Sequence, residues 1–210
     1  QQFTVTYQPG AHGTFDETKT ENLDYGTATP AAPETTGEAG YTFTGWAPTV
    51  AETVTADATY VAQWSANTNT KYTVEYYYQQ NGTYAAEATT SVDRMGVTDD
   101  TAEVTEADKN PTRTGYVFDE TAANVLSGTI AGDGSLVLKV YFKQQFTVEY
   151  KKGDHGTFEE TKTENLDYGV ATPAAPEVTG EDGYTFTGWN TQADGSGTDY
   201  EDEQQVQNLT

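Results

Sequence analysis

The chain has 210 residues, 33 of them acidic and 10 basic, and a formal net charge of −23. That balance disfavours nucleic acid and anionic membrane surfaces, which need Lys and Arg opposite their phosphates. No run of about 18 apolar residues is present, so insertion into a membrane is not expected. Cysteine is absent, so each folded unit must be held by burial and sheet hydrogen bonds alone.

In chain order, Phe3–Tyr7 alternates Phe3, Val5 and Tyr7 against Thr4 and Thr6, the pattern of a half-buried strand. Gln8–Gly13 carries turn residues, and Thr14–Glu17 is expected to return as the second strand of a hairpin. The stretch that follows holds Pro30 and Pro33 and is excluded from a sheet interior. A helical turn and an extended crossover are expected there. In GYTFTGW (Gly40–Trp46), Tyr41 and Phe43 face one way and Thr42 and Thr44 the other, with Gly45 free to bend the chain before Trp46. This stretch reads as a central strand. Thr59–Trp64 closes the unit, with Tyr60, Ala62 and Trp64 in phase. Next, Tyr72–Gln79 places Tyr72, Val74, Tyr76 and Tyr78 on one face. TEADKNP predicts a helical turn capped by Thr105 and stopped at Pro111. Ser135–Phe142 closes this middle stretch, with Leu136, Leu138, Val140 and Phe142 in phase. Tyr77 and Tyr141 fall out of phase with these strands and are expected to be exposed.

The opening pattern then recurs. Residues 1–46 and 144–189 align without gaps and differ only at Thr6/Glu149, Gln8/Lys151, Pro9/Lys152, Ala11/Asp154, Asp16/Glu159, Thr27/Val170, Thr35/Val178 and Ala39/Asp182. Beyond the tryptophan the copies diverge, and the second shows no TYVAQW closing strand. Internal repeats define architecture before anything else does. The chain therefore divides at 1–64, 65–143 and 144–210. The joint SANTNTK is short and polar, and FKQQF leaves almost no free linker, so stiff coupling is expected there. The chain opens directly on a strand, without a leader-like stretch, and reads as a piece of a longer polypeptide.

The pattern FTVTY…GTF…YG…TPAAP…GYTFTGW…ATYVAQW resembles the Listeria–Bacteroides repeat, also called the internalin B-repeat. The resemblance spans 3–64 and 146–210. It departs at the hairpin, where Ala11-His12-Gly13 and Asp154-His155-Gly156 stand in place of the usual Asn-Gly or Gly-Gly. The middle stretch, YTVEYYYQ…VTEADK…SGTIAGDGSLVLKVYF, resembles a mucin-binding-protein (MucBP-like) repeat over about 71–143. Both resemblances imply small β-grasp-like units arrayed on bacterial surface proteins between an adhesive tip and a wall anchor, and neither implies catalysis. The expected fold is a β-rich α+β chain of tandem β-grasp-like modules, elongated and head-to-tail.

No constellation for chemistry stands out. The two histidines, His12 and His155, are equivalent turn positions, read as residues tolerating an unusual backbone. No Ser sits in a nucleophile elbow, and cysteine ligands for zinc are absent. Structural calcium is the one metal left open, at Asp99-Asp100, Asp133, Asp194 or the acidic run Asp199, Glu201, Asp202 and Glu203. None of these has EF-hand spacing. A Lys–Asp or Lys–Asn cross-link would need a buried lysine, and Lys19, Lys162 and Lys139 read as exposed. Trp46, Trp64 and Trp189 read as core. Tyr77 and Tyr141 are left as the candidate ligand contacts.

The expected function is a non-catalytic stalk or spacer segment of an extracellular, cell-surface adhesin, flanked by other domains of its polypeptide. Charge is spread along it, at eight acids to one base, eleven to six, and fourteen to three in the three parts. The alternative is an adhesive module binding host glycoprotein or mucin glycans. An acidic surface disfavours electrostatic capture of anionic mucin.

Overall fold

The computed structural model describes residues 1–200 and contains thirteen β-strands among them. These are β1 (Gln2–Gln8), β2 (Thr18–Asp24), β3 (Tyr41–Ala47), β4 (Ala58–Ala66), β5 (Thr70–Tyr78), β6 (Thr90–Gly96) and β7 (Thr101–Glu103). They continue with β8 (Tyr116–Phe118), β9 (Ser127–Thr129), β10 (Val137–Tyr150), β11 (Thr161–Asp167), β12 (Trp189–Asn190) and β13 (Asp199–Tyr200). No helix occurs among the described residues, and hence none long and apolar enough to cross a membrane. The α component of the expected α+β class is therefore corrected to all-β. The closing region of the second copy and the acidic residues Glu201, Asp202 and Glu203 lie outside the described residues.

The physical reasons for the missing helices are local. Thr18–Asp24 was expected to lie in a partly helical crossover, but it pairs antiparallel with β1. One extra residue on β2 shifts the register between Phe3 and Val5, and Asn22 takes a left-handed backbone (φ 58°) beside the shift. Asn tolerates that conformation better than most residues. The second copy repeats the irregularity between β10 and β11, with Asn165 at φ 62°. Thr14–Glu17, the expected return strand, instead lies in a loop. Gly13 bridges Gly37, and the Thr14 N–H donates to the Thr36 carbonyl. Thr105–Asn110 keeps only a turn. The Thr105 N–H and hydroxyl donate to the Asp108 carboxylate, and the Asp108 N–H reaches back to Thr105. Pro111 prevents the turn from propagating.

The chain divides into two compact units. One comprises Gln1–Glu75, Ser91–Val104 and Val125–Leu138. The other comprises Tyr76–Thr90, Thr105–Asn124 and Lys139–Thr210. Their boundary falls inside the middle stretch rather than at 64 or 143.

In the first unit a four-stranded sheet has the order β2–β1–β4–β3. β1 and β4 are central and parallel, while β2 and β3 pair antiparallel at the edges. The GYTFTGW strand is thus an edge strand, not a central one. Its phase is as expected: Tyr41, Phe43 and Trp46 are half-buried, and Thr42 and Thr44 exposed. Gly45 (φ 140°) sits at the register shift between Phe43 and Gly45 that turns Trp46 inward. Phe3, Val5, Tyr7, Val54 and Tyr60 form the core, with Leu23, Trp46, Val50 and Ala58 packed against it. β7 and β9 form a separate two-stranded ribbon.

The other large sheet runs β11–β10–β5–β6, with β8 also on β10. Bonds from Thr73 N to the Leu136 carbonyl and from Gln79 N to the Phe142 carbonyl advance together along β5 and β10, so this pair is parallel too. In the second unit, Phe142 packs against the rings of Tyr76 and Tyr78. β10 is one unbroken strand of 14 residues. It closes the middle stretch and opens the second copy with no loop at 143–144.

Trp46→Ala should destabilise the first copy by ~3 kcal/mol, while Thr44→Ala on the same strand should stay within ~0.5 kcal/mol. Urea unfolding followed by Trp64 fluorescence checks the pair. Equal effects would refute the assigned strand phase.

Candidate functional site

The expectation that Tyr77 and Tyr141 stand exposed is corrected for Tyr77, which is 4% exposed. Tyr141 is half-buried. Their rings stack at 4.5 Å and 12°, the Lys139 ammonium lies 5.6 Å over Tyr77, and Tyr84 meets Tyr141 edge-on at 4.9 Å. Strand phase failed here because the chain between β5 and β6 covers the second face as well, through Tyr84. Residues 119–124 continue the β8 edge of β10, with Asp119 N donating to the Tyr141 carbonyl and Tyr141 N donating to Asn124 Oδ1. A sheet covered on both faces buries both phases.

Two buried aspartates fix these loops. Asp119 accepts the Tyr84 hydroxyl at 2.8 Å and the N–H and hydroxyl of Thr121. Burial opposes its charge, but these bonds outweigh burial and hold the carboxyl below its ordinary pKa. Burial, then the Asp119 bond, pushes the Tyr84 phenol well above its ordinary value. Asp108 accepts the Tyr76 hydroxyl at 2.6 Å in addition to its Thr105 bonds. Each carboxylate is consumed by structural donors, and each tyrosine hydroxyl is tied to one. The constellation rigidifies loops.

The histidines act through their side chains. His12 Nδ1 lies 2.9 Å from Glu38, and its ring stacks on Tyr41 at 3.6 Å and 10°. His155, Glu181 and Tyr184 repeat this at 3.2 Å, 3.6 Å and 13°. Neither histidine has a positive φ, so the expected backbone role is replaced by a ring contact. The signal in the sequence was the preserved 26-residue spacing of His and Glu in both copies.

Of the acidic turns, Asp133 accepts the Ser135 N–H, Asp194 the N–H and hydroxyl of Ser196, and Asp99 the Tyr41 hydroxyl. The Ser135 hydroxyl first, then its N–H, lowers the pKa of Asp133, and the Ser196 hydroxyl and N–H do the same for Asp194. Among the described residues, no three His, Cys, Asp or Glu side chains group so as to hold a metal ion. Lys19 and Lys162 pair with glutamates at the surface, while Lys139 lies on Tyr77. Trp46 and Trp189 are hubs of matching clusters. Trp46 meets Tyr7, Phe15 and Phe43, and Trp189 meets Tyr150, Phe158 and Phe186. Trp64 packs on Phe43 and donates to the Pro9 carbonyl at 2.8 Å.

The joints between the sequence parts are the other built feature, and each lies within one unit. In the first unit, Asn67 N donates to the Gly40 carbonyl and Thr98 N to the Asn67 carbonyl. The approach there is so close that a Cβ on Gly40 would lie 2.4 Å from the Gly132 Cα. In the second unit, Lys143 Nζ pairs with Asp167 at 2.7 Å, and Gln145 donates to the same carboxylate at 3.2 Å. Lys143 first, then Gln145, holds that carboxyl below its ordinary pKa against partial burial. Gln145 N donates to the Gly115 carbonyl, Asn81 N to Gln144 Oε1, and Gln144 N to Gln79 Oε1. The Tyr168 ring lies on Gly82.

Residues 146–210 match the family model of the Listeria-Bacteroides repeat domain. That family occurs in extracellular or surface-associated bacterial proteins. A comparison with curated proteins found no match.

Tyr84→Phe should cost ~1.5–3 kcal/mol at pH 7, because the lost bond ends on a charged, buried acceptor. The pH sign follows from Asp119. Its folded pKa is depressed, so its contribution is present above the unfolded value of about 3.9 and fades as pH falls through the folded value. Urea midpoints should therefore separate wild type from Tyr84→Phe at pH 7 and converge towards pH 2. A pH-independent gap would contradict the assigned partnership.

Proposed function

We propose that the chain is a non-catalytic spacer segment of a bacterial cell-surface adhesin, built head-to-tail from β-grasp-like modules and projecting a functional tip domain. The observation that carries this reading is β10, whose 14 residues run through the joint at 143–144 without a loop. A joint made of strand backbone and fixed by the Lys143–Asp167 pair has little freedom to hinge. The order β2–β1–β4–β3 with a parallel central pair supports a β-grasp-like unit whose usual helix is replaced by extended chain. The middle stretch, with its own parallel pair, fits a MucBP-like repeat of related build. Acidic charge spread over all three parts keeps such segments solvated and mutually repelling, within a screening length of about 8 Å at physiological salt.

The spacer reading also agrees with where the chemistry-bearing residues go. Asp133 and Asp194 bind their own turns, and Tyr77, Tyr84 and Tyr141 are stacked or hydrogen-bonded. Surfaces built for ligands keep such groups convergent and available.

Small-angle scattering of the 210-residue chain should give a pair-distance distribution skewed to long distances, unchanged by added mucin glycans. A symmetric, compact distribution would overturn the spacer. Saturable glycan binding, abolished by Tyr141→Ser, would favour the adhesive alternative.

A further inference from the structure

The two copies present the same surface in two different environments. In the second copy, Tyr168 is half-buried beneath the β5–β6 hairpin turn, and a Cβ on Gly82 would lie 2.6 Å from its ring. Its equivalent in the first copy is Tyr25, held by the same local geometry. Phe3 and Tyr25 lie 6.5 Å apart with rings at 55°, and Phe146 and Tyr168 lie 6.4 Å apart at 50°. Yet Tyr25 is 69% exposed. A tyrosine buries a large apolar area, and leaving one this open at a fixed position forfeits that gain.

The surroundings of Tyr25 repeat those of Tyr168. Gln1, Gln2 and Asp24 align with Gln144, Gln145 and Asp167, the residues that receive the middle stretch at the filled joint. Gln2 Nε2 reaches the Asn22 carbonyl as Gln145 Nε2 reaches that of Asn165. None of the eight positions that differ between the copies belongs to this set. The face is therefore shaped and pre-set for the same occupant.

We propose that the Tyr25 face, with Gln1, Gln2 and Asp24, is a docking surface for a further segment of the middle type. That segment would be joined in line ahead of Gln1 and would seat its Asn81-Gly82 turn on the Tyr25 ring. A second copy of the 210-residue chain is not the occupant, because its own Asn81-Gly82 turn is already covered by Tyr168. The inference goes beyond the spacer reading and is tested separately. Scattering reports overall dimensions, whereas the docking surface is read at one tyrosine.

The test is nitration by tetranitromethane, with each tyrosine followed by peptide mass spectrometry. In the 210-residue chain, Tyr25 should react several-fold faster than Tyr168, at a rate independent of protein concentration. In a chain carrying residues 65–143 again directly ahead of Gln1, the rate at Tyr25 should fall to that of Tyr168. Gly82→Asn keeps a residue tolerant of the left-handed backbone but adds a Cβ against the ring. In the 210-residue chain it should speed Tyr168 and leave Tyr25 unchanged, and in the added segment it should restore Tyr25. An unchanged Tyr25 rate in the extended chain overturns the proposal. So does an unchanged Tyr168 rate in Gly82→Asn, since the turn would then not be what covers the ring. Protection of Tyr25 that grows with concentration in the 210-residue chain would assign the face to a second copy instead.

Discussion

The edge-on contacts of Trp46 and Trp189 hold the repeated part of this protein together. With no disulfide and no helix in the described residues, the first copy has only a four-stranded sheet and irregular chain from which to make a core, and the second has β10 and β11 with the short β12–β13 pair. Trp46 solves this by touching an aromatic residue from each of three places: Tyr7 on β1, Phe15 in the long loop and Phe43 on its own strand. Edge-to-face pairs of this kind add ~0.5–1.5 kcal/mol each beyond area burial. Tyr7 extends the cluster to Tyr60 and, through its hydroxyl, to the Pro30 carbonyl. The crossover that could have been a covering helix is thereby pinned as extended chain. Tyr150 repeats the same bond to the Pro173 carbonyl.

The middle stretch solves the same problem with tyrosine and aspartate. Tyr76–Asp108 and Tyr84–Asp119 each bury a carboxylate but supply it with a phenol and with turn donors. A buried charge is tolerable when its lone pairs are satisfied. In so acidic a protein this also places two of its many carboxylates where they fix loops.

Alternation of side chains made the strands legible in the sequence. β1, β4, β5 and β10 lie where period-two patterns place them, because one face of each had to be buried. The phase of Tyr41, Thr42, Phe43 and Thr44 was legible for the same reason. The pairing partner of β1 was not, because Thr18–Asp24 is polar but for Leu23 and carries no alternating pattern; its pairing rests on backbone bonds and on Asn22. The edge position of β3 was hidden too, since strand order depends on which pairs form and not on composition. The burial of Tyr77 was missed because a period-two rule assumes an open second face. The chain at 79–90 closes that face through Tyr84, and no period in its sequence announces it. The joints were half legible: FKQQF showed that no linker fits, whereas the pairing of Lys143 with Asp167 required the bulged hairpin that brings them together.

The parallel pairing of β1 with β4 has a consequence for a chain under tension. β1 lies near the N-terminal end of the first copy and β4 at its C-terminal end, and they are sheet neighbours from Val5↔Ala58 to Gln8↔Val61. Pulling on the two ends drags these strands past one another along their common axis. The ladder bonds then carry the load together, in shear, whereas a terminal antiparallel hairpin would unzip one bond at a time. β5 and β10 stand in the same relation at the two ends of the middle stretch. Force passing along the backbone thus meets a transverse row of hydrogen bonds in each of these parts before it reaches the aromatic core.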